Sequence, residues 1–233
     1  MKKYVVFHGS PRKRNTYHAI KIFLSELEKF NDVKITEFFF PKDLPVFCAG
    51  CTLCFSGFRD KCPNAAHSNP IVEAMLGADA LIFATPHYGA GGVPGSLQSL
   101  FDHLGFLTLT VSPEAAMFKK KAFVLTTGAG SAGAKKHIKD FLIRCGINRV
   151  GSLGLRMLAD KWDNMPGARQ VKFERSLRAA AKKFYLVKKG RPYISAVVFF
   201  YAAKHIIMKR YVGEGNYPYD NWLAKGYFKK RPF

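Results

Sequence analysis

Two sets of side chains in this sequence have the types and spacing to do chemistry. The first is Ser10-Pro11-Arg12-Lys13-Arg14-Asn15-Thr16, which follows the apolar run Tyr4 to Phe7 and precedes a helical pattern starting at Tyr17. A strand that ends at Gly9 and turns at once into a helix leaves backbone N–H groups unpaired. Those donors, with the helix dipole, attract an anion. Arg12, Lys13 and Arg14 add full charges, and Ser10, Asn15 and Thr16 add neutral hydrogen-bonding groups. An ordinary strand-to-helix turn, with Asn15 or Thr16 only capping the helix, draws on the same residue types, so both readings stand at this point.

The second set is Cys48-Ala-Gly-Cys51-Thr-Leu-Cys54, followed after seven residues by Cys62. The chain opens Met1-Lys2-Lys3 with only four apolar residues before His8, short of the ~7 to 15 of a signal peptide, so a cytoplasmic location is expected. Thiols there stay reduced, and a metal or redox role outranks a disulfide staple. Four thiolates at such spacing suit an iron–sulfur cluster, and they also meet the tetrahedral demand of zinc. Cys145, late on an expected helix, reads as a small buried apolar residue.

Both sets need elements to position them. Tyr4 to Phe7 reads as a buried strand, and Ile20, Phe23, Leu24, Leu27 and Phe30 repeat at helical spacing. Val33 to Phe40 is the second strand, Pro70 to Leu76 a short helix, and Ala80 to Thr85 an apolar third strand of the kind covered on both faces. Leu97, Leu100, Phe101, Leu104 and Leu107 form another helical stripe. Ala122 to Thr127 is strand four, Ala134 to Cys145 a helix, Val150 to Leu155 strand five, and Phe173 to Val187 a closing helix. Five alternations of strand and helix predict an α/β fold, a doubly wound five-stranded parallel sheet. Ligands in such sheets bind beyond the carboxyl ends of the strands. The loops after strands one, three and four, residues 9–16, 86–95 and 128–133, are thereby expected to meet at one site.

Within that frame Gly9-Ser10-Pro11-Arg12-x-x-Asn15-Thr16 and Thr85-Pro86-His87-Tyr88-Gly89 resemble the flavodoxin-like NAD(P)H-dependent FMN reductases, over residues 1 to about 187. The resemblance implies Ser10, Arg12, Asn15 and Thr16 as contacts to the FMN phosphate, and Pro86, His87, Tyr88 and Gly89 beside the isoalloxazine. Pro and Gly fix a tight path and an aromatic side chain can pack on a flat ring, although a half-buried loop aromatic would also account for Tyr88. Gly128-Ala-Gly130-Ser131-Ala-Gly133 matches the G-x-G-x-x-G dinucleotide pattern, but it follows strand four and lacks an acidic residue ~20 positions on. The resemblance instead brings Thr127, Gly128, Gly130 and Ser131 against the flavin, where glycine permits close approach. The cysteine motif is similar to that of the iron-sulfur flavoproteins, a branch of the same group, which implies Cys48, Cys51, Cys54 and Cys62 as ligands of a [4Fe-4S] cluster. The acidic residues that often follow the last cysteine there are missing here. Gln98 and His103 stand where the family commonly has basic residues near Asp102, and neighbouring helix positions such as Asp102 and His103 do not share a face.

A formal net charge of +21 on 233 residues points to an anionic partner: a phosphorylated cofactor, nucleic acid or a membrane surface. No RNA-binding consensus, zinc-finger spacing or stacking platform accompanies the basic residues to favour nucleic acid. Residues 188–233 differ in kind, with Lys188-Lys189-Gly190-Arg191-Pro192 breaking the closing helix before an aromatic and basic extension. Ile194 to Tyr211 reads as an arm packed on residues 1–187 or on a partner subunit, in preference to an amphipathic helix on a membrane. The expected function is an FMN-dependent oxidoreductase, a homodimer, passing electrons from NAD(P)H to a quinone, a nitro or azo compound, or a redox protein. An iron–sulfur electron carrier and a flavin-free basic binding protein for nucleic acid or anionic lipid are the alternatives.

Overall fold

A computed structural model of the protein describes residues 1–30, 32–88, 92–130, 132–147, 149–187, 194–210 and 215–233. Its strands are β1 (Lys2–His8), β2 (Val33–Phe39), β3 (Ala80–Pro86), β4 (Lys121–Gly128) and β5 (Arg149–Arg156). The helices are α1 (Asn15–Glu28), α2 (Ala65–Gly77), α3 (Gly95–His103), the single turn α4 (Ala115–Phe118), α5 (Ala132–Arg144), α6 (Gly167–Leu186), α7 (Ile194–Arg210) and α8 (Tyr217–Ala224). All strand pairs are parallel and the sheet order is β2-β1-β3-β4-β5. The chain reverses its direction of travel across the sheet between β1 and β3, which makes their carboxyl ends the topological switch point.

Alternation along each strand sends successive residues to opposite faces. Val5, Phe7, Leu81, Phe83, Ala122 and Val124 join one core with residues of α2, α3 and α5. Tyr4, Val6, Ile82, Phe123 and Leu125 join the other with α1 and α6. The register sets Phe7 opposite Phe38 and Phe83, with ring centroids 5.9 and 4.7 Å apart. Phe7 and Phe83, fully withdrawn from water, contribute about 1.5–3 kcal/mol each. This two-sided burial is why the strands read as continuous apolar runs.

A third cluster sits apart from the sheet: Leu109 and Phe118 pack with Phe200, Ala203 and Ile207 of α7 and with Trp222 and Tyr227. Phe200 stacks on Trp222 at 4.9 Å and meets Tyr227 edge-on. Among the described residues no helix is long and apolar enough to cross a membrane.

Three helix limits differ from the sequence expectation. Helix α2 begins at Ala65, with Pro70 inside it; burial of Ile71, Val72 and Met75 outweighs the one hydrogen bond that Pro70 cannot make. Helix α3 stops at His103, and Leu107 reaches the core from a separate turn, Gly105–Leu107. Helix α6 starts at Gly167, six residues before the apolar stripe. The expected breaking segment 188–192 lies outside the described residues, as do Gly89, Ser131 and Tyr211.

Candidate active site at the carboxyl edge of the sheet

Strand β1 delivers the chain to Gly9, whose N–H donates to Ala84 O of β3 at 2.9 Å. A Cβ at Gly9 would lie 2.4 Å from Thr85 Oγ1, so only glycine allows the two strand ends this close. The chain then passes Ser10, whose Oγ accepts from the Arg12 N–H at 3.3 Å, and enters α1 at Asn15. No side chain caps the start of α1, and no acidic residue stands in its first turn. Arg12, Lys13 and Arg14 crowd that positive end instead, where cations are unfavourable unless an anion joins them.

The loop after β3 is tied to β4, because His87 N–H donates to Thr127 O at 2.7 Å. Tyr88 and Gly92 exchange backbone hydrogen bonds of 3.2 and 3.0 Å, pinching the base of the following loop. Arg12 Nη2 donates to the Tyr88 hydroxyl at 2.8 Å and bridges the first and second loops. His87 fits between two glycines of the third loop. A Cβ on Gly128 would come 3.1 Å from His87 Cβ, and one on Gly130 would come 3.0 Å from His87 Nε2. Gly128 also holds φ +144°, a conformation that favours glycine. His87 Nδ1 is buried without a hydrogen-bond partner.

These loops enclose a cavity of about 380 Å³ lined by Ser10, Arg12, Asn15, Thr16, Pro86, His87, Tyr88, Thr127 and Gly128. Gly130 stands behind it, against the His87 ring. Two expected contacts are already engaged. Thr16 Oγ1 meets Thr127 Oγ1 at 2.6 Å, locking α1 to β4. Asn15 Nδ2 donates to Ala159 O at 3.0 Å and Asp160 O at 3.2 Å. Their side chains set the spacing of the cleft, leaving their backbone N–H groups at the uncapped helix start. The carbonyls that Asn15 holds belong to a wall that sequence reasoning missed: Met157, Ala159 and Asp160, after β5, line the cavity together with Arg14. The rule that placed the other loops, ligands beyond the carboxyl ends of strands, also covers the loop after β5.

Just beyond His8 Nε2, 2.7 Å from Glu37 Oε2, β1 and β2 end side by side. Burial holds the His8 pKa below its ordinary value although Glu37 opposes the shift, and the ring stacks on Phe39 at 4.1 Å.

The four loop cysteines are free thiols; Cys48 is exposed, and Cys51, Cys54 and Cys62 are half-buried. Burial pushes the Cys54 thiol up, and the charges of Cys48, Cys62 and Cys51 add to that, so each of the three lies within electrostatic reach of Cys54. Among the described residues no three His, Cys, Asp or Glu side chains converge on a single metal-ion position. A four-iron cluster asks for four thiolates spread over separate irons, and the donor set has that number and chemistry. Cys145 is fully buried, its thiol pushed up by desolvation. His103 is buried too, with Nδ1 2.8 Å from Ser99 O and Nε2 3.1 Å from Asn64 Nδ2, while Gln98 donates to Asp102.

The family model described as NADPH-dependent FMN reductase matches residues 2–155. The chain belongs to that family. An iron-sulfur flavoprotein from Archaeoglobus fulgidus is 32% identical over 101 residues, covering 43% of this chain and 47% of that protein. An FMN-dependent NADH:quinone oxidoreductase from Thiobacillus denitrificans is 37% identical over 71 residues, covering 28% of this chain and 34% of that protein. The chain thus matches about half and a third of the length of these relatives. In fold, this family member resembles an FMN-dependent NADH-azoreductase from Bacillus anthracis solved with FMN, at TM-score 0.60 and 13% identity, over 79% of this chain and 100% of the other. It also resembles an NAD(P)H:quinone oxidoreductase from Methanothermobacter marburgensis, at TM-score 0.61 and 14% identity, over 78% and 96%.

Proposed function

We propose that the protein is an FMN-dependent NAD(P)H oxidoreductase that passes electrons to a quinone or azo compound. The observation that carries the reading is the uncapped, cation-crowded start of α1 opening into a cavity that Pro86, His87, Tyr88, Thr127 and Gly128 line from the other side. Cations at the positive end of a helix call for an anion, and a phosphate has the charge and acceptor number to meet both. Ser10, Arg12, Arg14 and the first-turn N–H groups would hold the FMN phosphate. Pro86, His87 and Tyr88 would flank the ring, and Thr127, Gly128 and Gly130 would let backbone approach it.

When bound, FMN supplies the acceptor for hydride from the nicotinamide and releases the electrons onward. The protein's part is positional. Arg12 orients Tyr88, Thr16 and Thr127 fix the cleft width, and the unpartnered His87 Nδ1 offers a polar contact to the ring. No acid–base dyad is required. Gly89 and Ser131 belong to the same reading through the resemblance, as does a homodimer, which light scattering would reveal.

Protein purified without oxygen and reconstituted with FMN is expected to show flavin absorbance and to oxidise NADH or NADPH when given a quinone or azo dye. No flavin affinity, or no oxidation of either nucleotide, overturns the proposal. The same spectrum tests the second reading, which the all-thiol set Cys48, Cys51, Cys54 and Cys62 favours. A broad iron–sulfur absorbance lost in Cys51→Ala, in a protein that binds FMN but oxidises no NAD(P)H, would make it a single-electron carrier.

A further inference from the structure

Helix α7 is apolar on two opposite faces. Ala196, Phe200, Ala203 and Ile207 are buried in the third cluster. Displaced by two residues from Ala196, Phe200 and Ala203, and so by about 200° around the helix, Ile194, Val198 and Tyr201 begin a second stripe that runs on through position 205 to Met208. Ile194, Val198, Tyr201 and Met208 are 83%, 61%, 45% and 48% exposed, with the polar His205 among them. A helix that is apolar all round is ordinarily covered all round. Among the described residues only one side is covered by the chain itself. The apolar surface continues sideways through Ile206 to Phe55 and Phe58, which line the same groove, and the Lys61 amine lies 4.8 Å above the Phe58 ring.

Charge selects what can cover the outer stripe. Residues 188–233 carry ten lysines and arginines against two carboxylates, Glu214 and Asp220. Lys209 and Arg210 are exposed at the end of α7. Lys204 donates to Phe228 O at 2.7 Å, which holds the exposed Lys229, Lys230 and Arg231 beside the helix. A second copy of this chain would bring two surfaces of the same sign together. Nucleic acid would satisfy the cations and leave Ile194, Val198 and Met208 without an apolar partner. An anionic phospholipid surface meets both demands, with acyl chains for the stripe and headgroups for the cations. We propose that the outer face of α7 seats the protein on anionic lipid bilayers as a peripheral, in-plane contact. The inner stripe already holds the helix folded and docked, so binding orders little new structure.

Co-sedimentation with phosphatidylcholine vesicles, and with vesicles of equal parts phosphatidylcholine and phosphatidylglycerol, tests this with the full chain. Binding is expected only to the anionic vesicles, weakened by salt, and reduced on the order of tenfold or more by Val198→Asp. That variant changes an exposed position, so its unfolding midpoint should equal that of the unaltered protein. Lys209→Glu with Arg210→Glu should weaken binding as well. No sedimentation with the anionic vesicles overturns the proposal. So does binding that Val198→Asp leaves unchanged, or a dimer in solution that Val198→Asp splits.

Discussion

At the amino end of the sheet, Lys120 and Lys121 are fully engaged, whereas at the carboxyl end Arg12 and Arg14 stand around an open cavity. Lys120 Nζ donates to Leu76 O at 2.9 Å and to Ala78 O, where α2 finishes. Lys121 Nζ donates to Phe184 O at 2.6 Å, Val187 O at 3.0 Å and Tyr185 O at 3.3 Å, where α6 finishes. Helices that return antiparallel to the strands bring their negative ends to the amino edge and their positive ends to the carboxyl edge. A lysine at the first edge completes a helix; an arginine at the second repels one until an anion arrives. The same residue class is structural at one end of the sheet and, on the proposed reading, ligand-binding at the other.

The largest effect should come from Arg12→Ala, which is expected to lower FMN affinity about 10- to 100-fold, the worth of a charged hydrogen bond at ~1.5–3 kcal/mol. Isothermal titration with FMN and thermal melts of the free protein measure the two sides; a lowered melting point with unchanged affinity would break the comparison. Lys121→Ala should do the reverse. It leaves the carbonyls at the end of α6 without their donor and should cost about 1–2 kcal/mol in urea unfolding, with FMN affinity unchanged.

The third effect is a pH dependence. Burial lowers the Lys120 and Lys121 amines from 10.5 to about 8. Between about pH 8 and 10.5 the unfolded chain therefore holds more protons than the folded one, so stability contributed by these groups rises with pH across that window. Relative to Lys120→Met, the unaltered protein should gain stability from pH 8 to 10; a flat difference would show that Lys120 is as well solvated folded as unfolded.

Much of the carboxyl edge was legible because its signals are local. Gly9 and Gly128 mark close approach, and the clustered Arg12, Lys13 and Arg14 mark an anion, whatever lies elsewhere in the chain. Asn15 and Thr16 were legible as polar residues at the right place, but their partners, Ala159, Asp160 and Thr127, come from distant segments. No local pattern distinguishes an amide held by a carbonyl from one free for a phosphate. The roles of Lys120 and Lys121 were invisible for the same reason. A lysine before a strand reads as solvated charge, and only the fold brings the ends of α2 and α6 to it.

The sequence by itself determined the alternation of strands and helices, the apolar faces that sandwich the sheet, and the loops that carry glycine and charge. Those follow from periodicity and backbone sterics, which act over a few residues. Tertiary structure decided which polar groups are spent, that the wall after β5 closes the cavity, and that α7 buries one apolar face and leaves the other outside. Those depend on which groups meet across the chain, and burial and hydrogen bonding are settled only there.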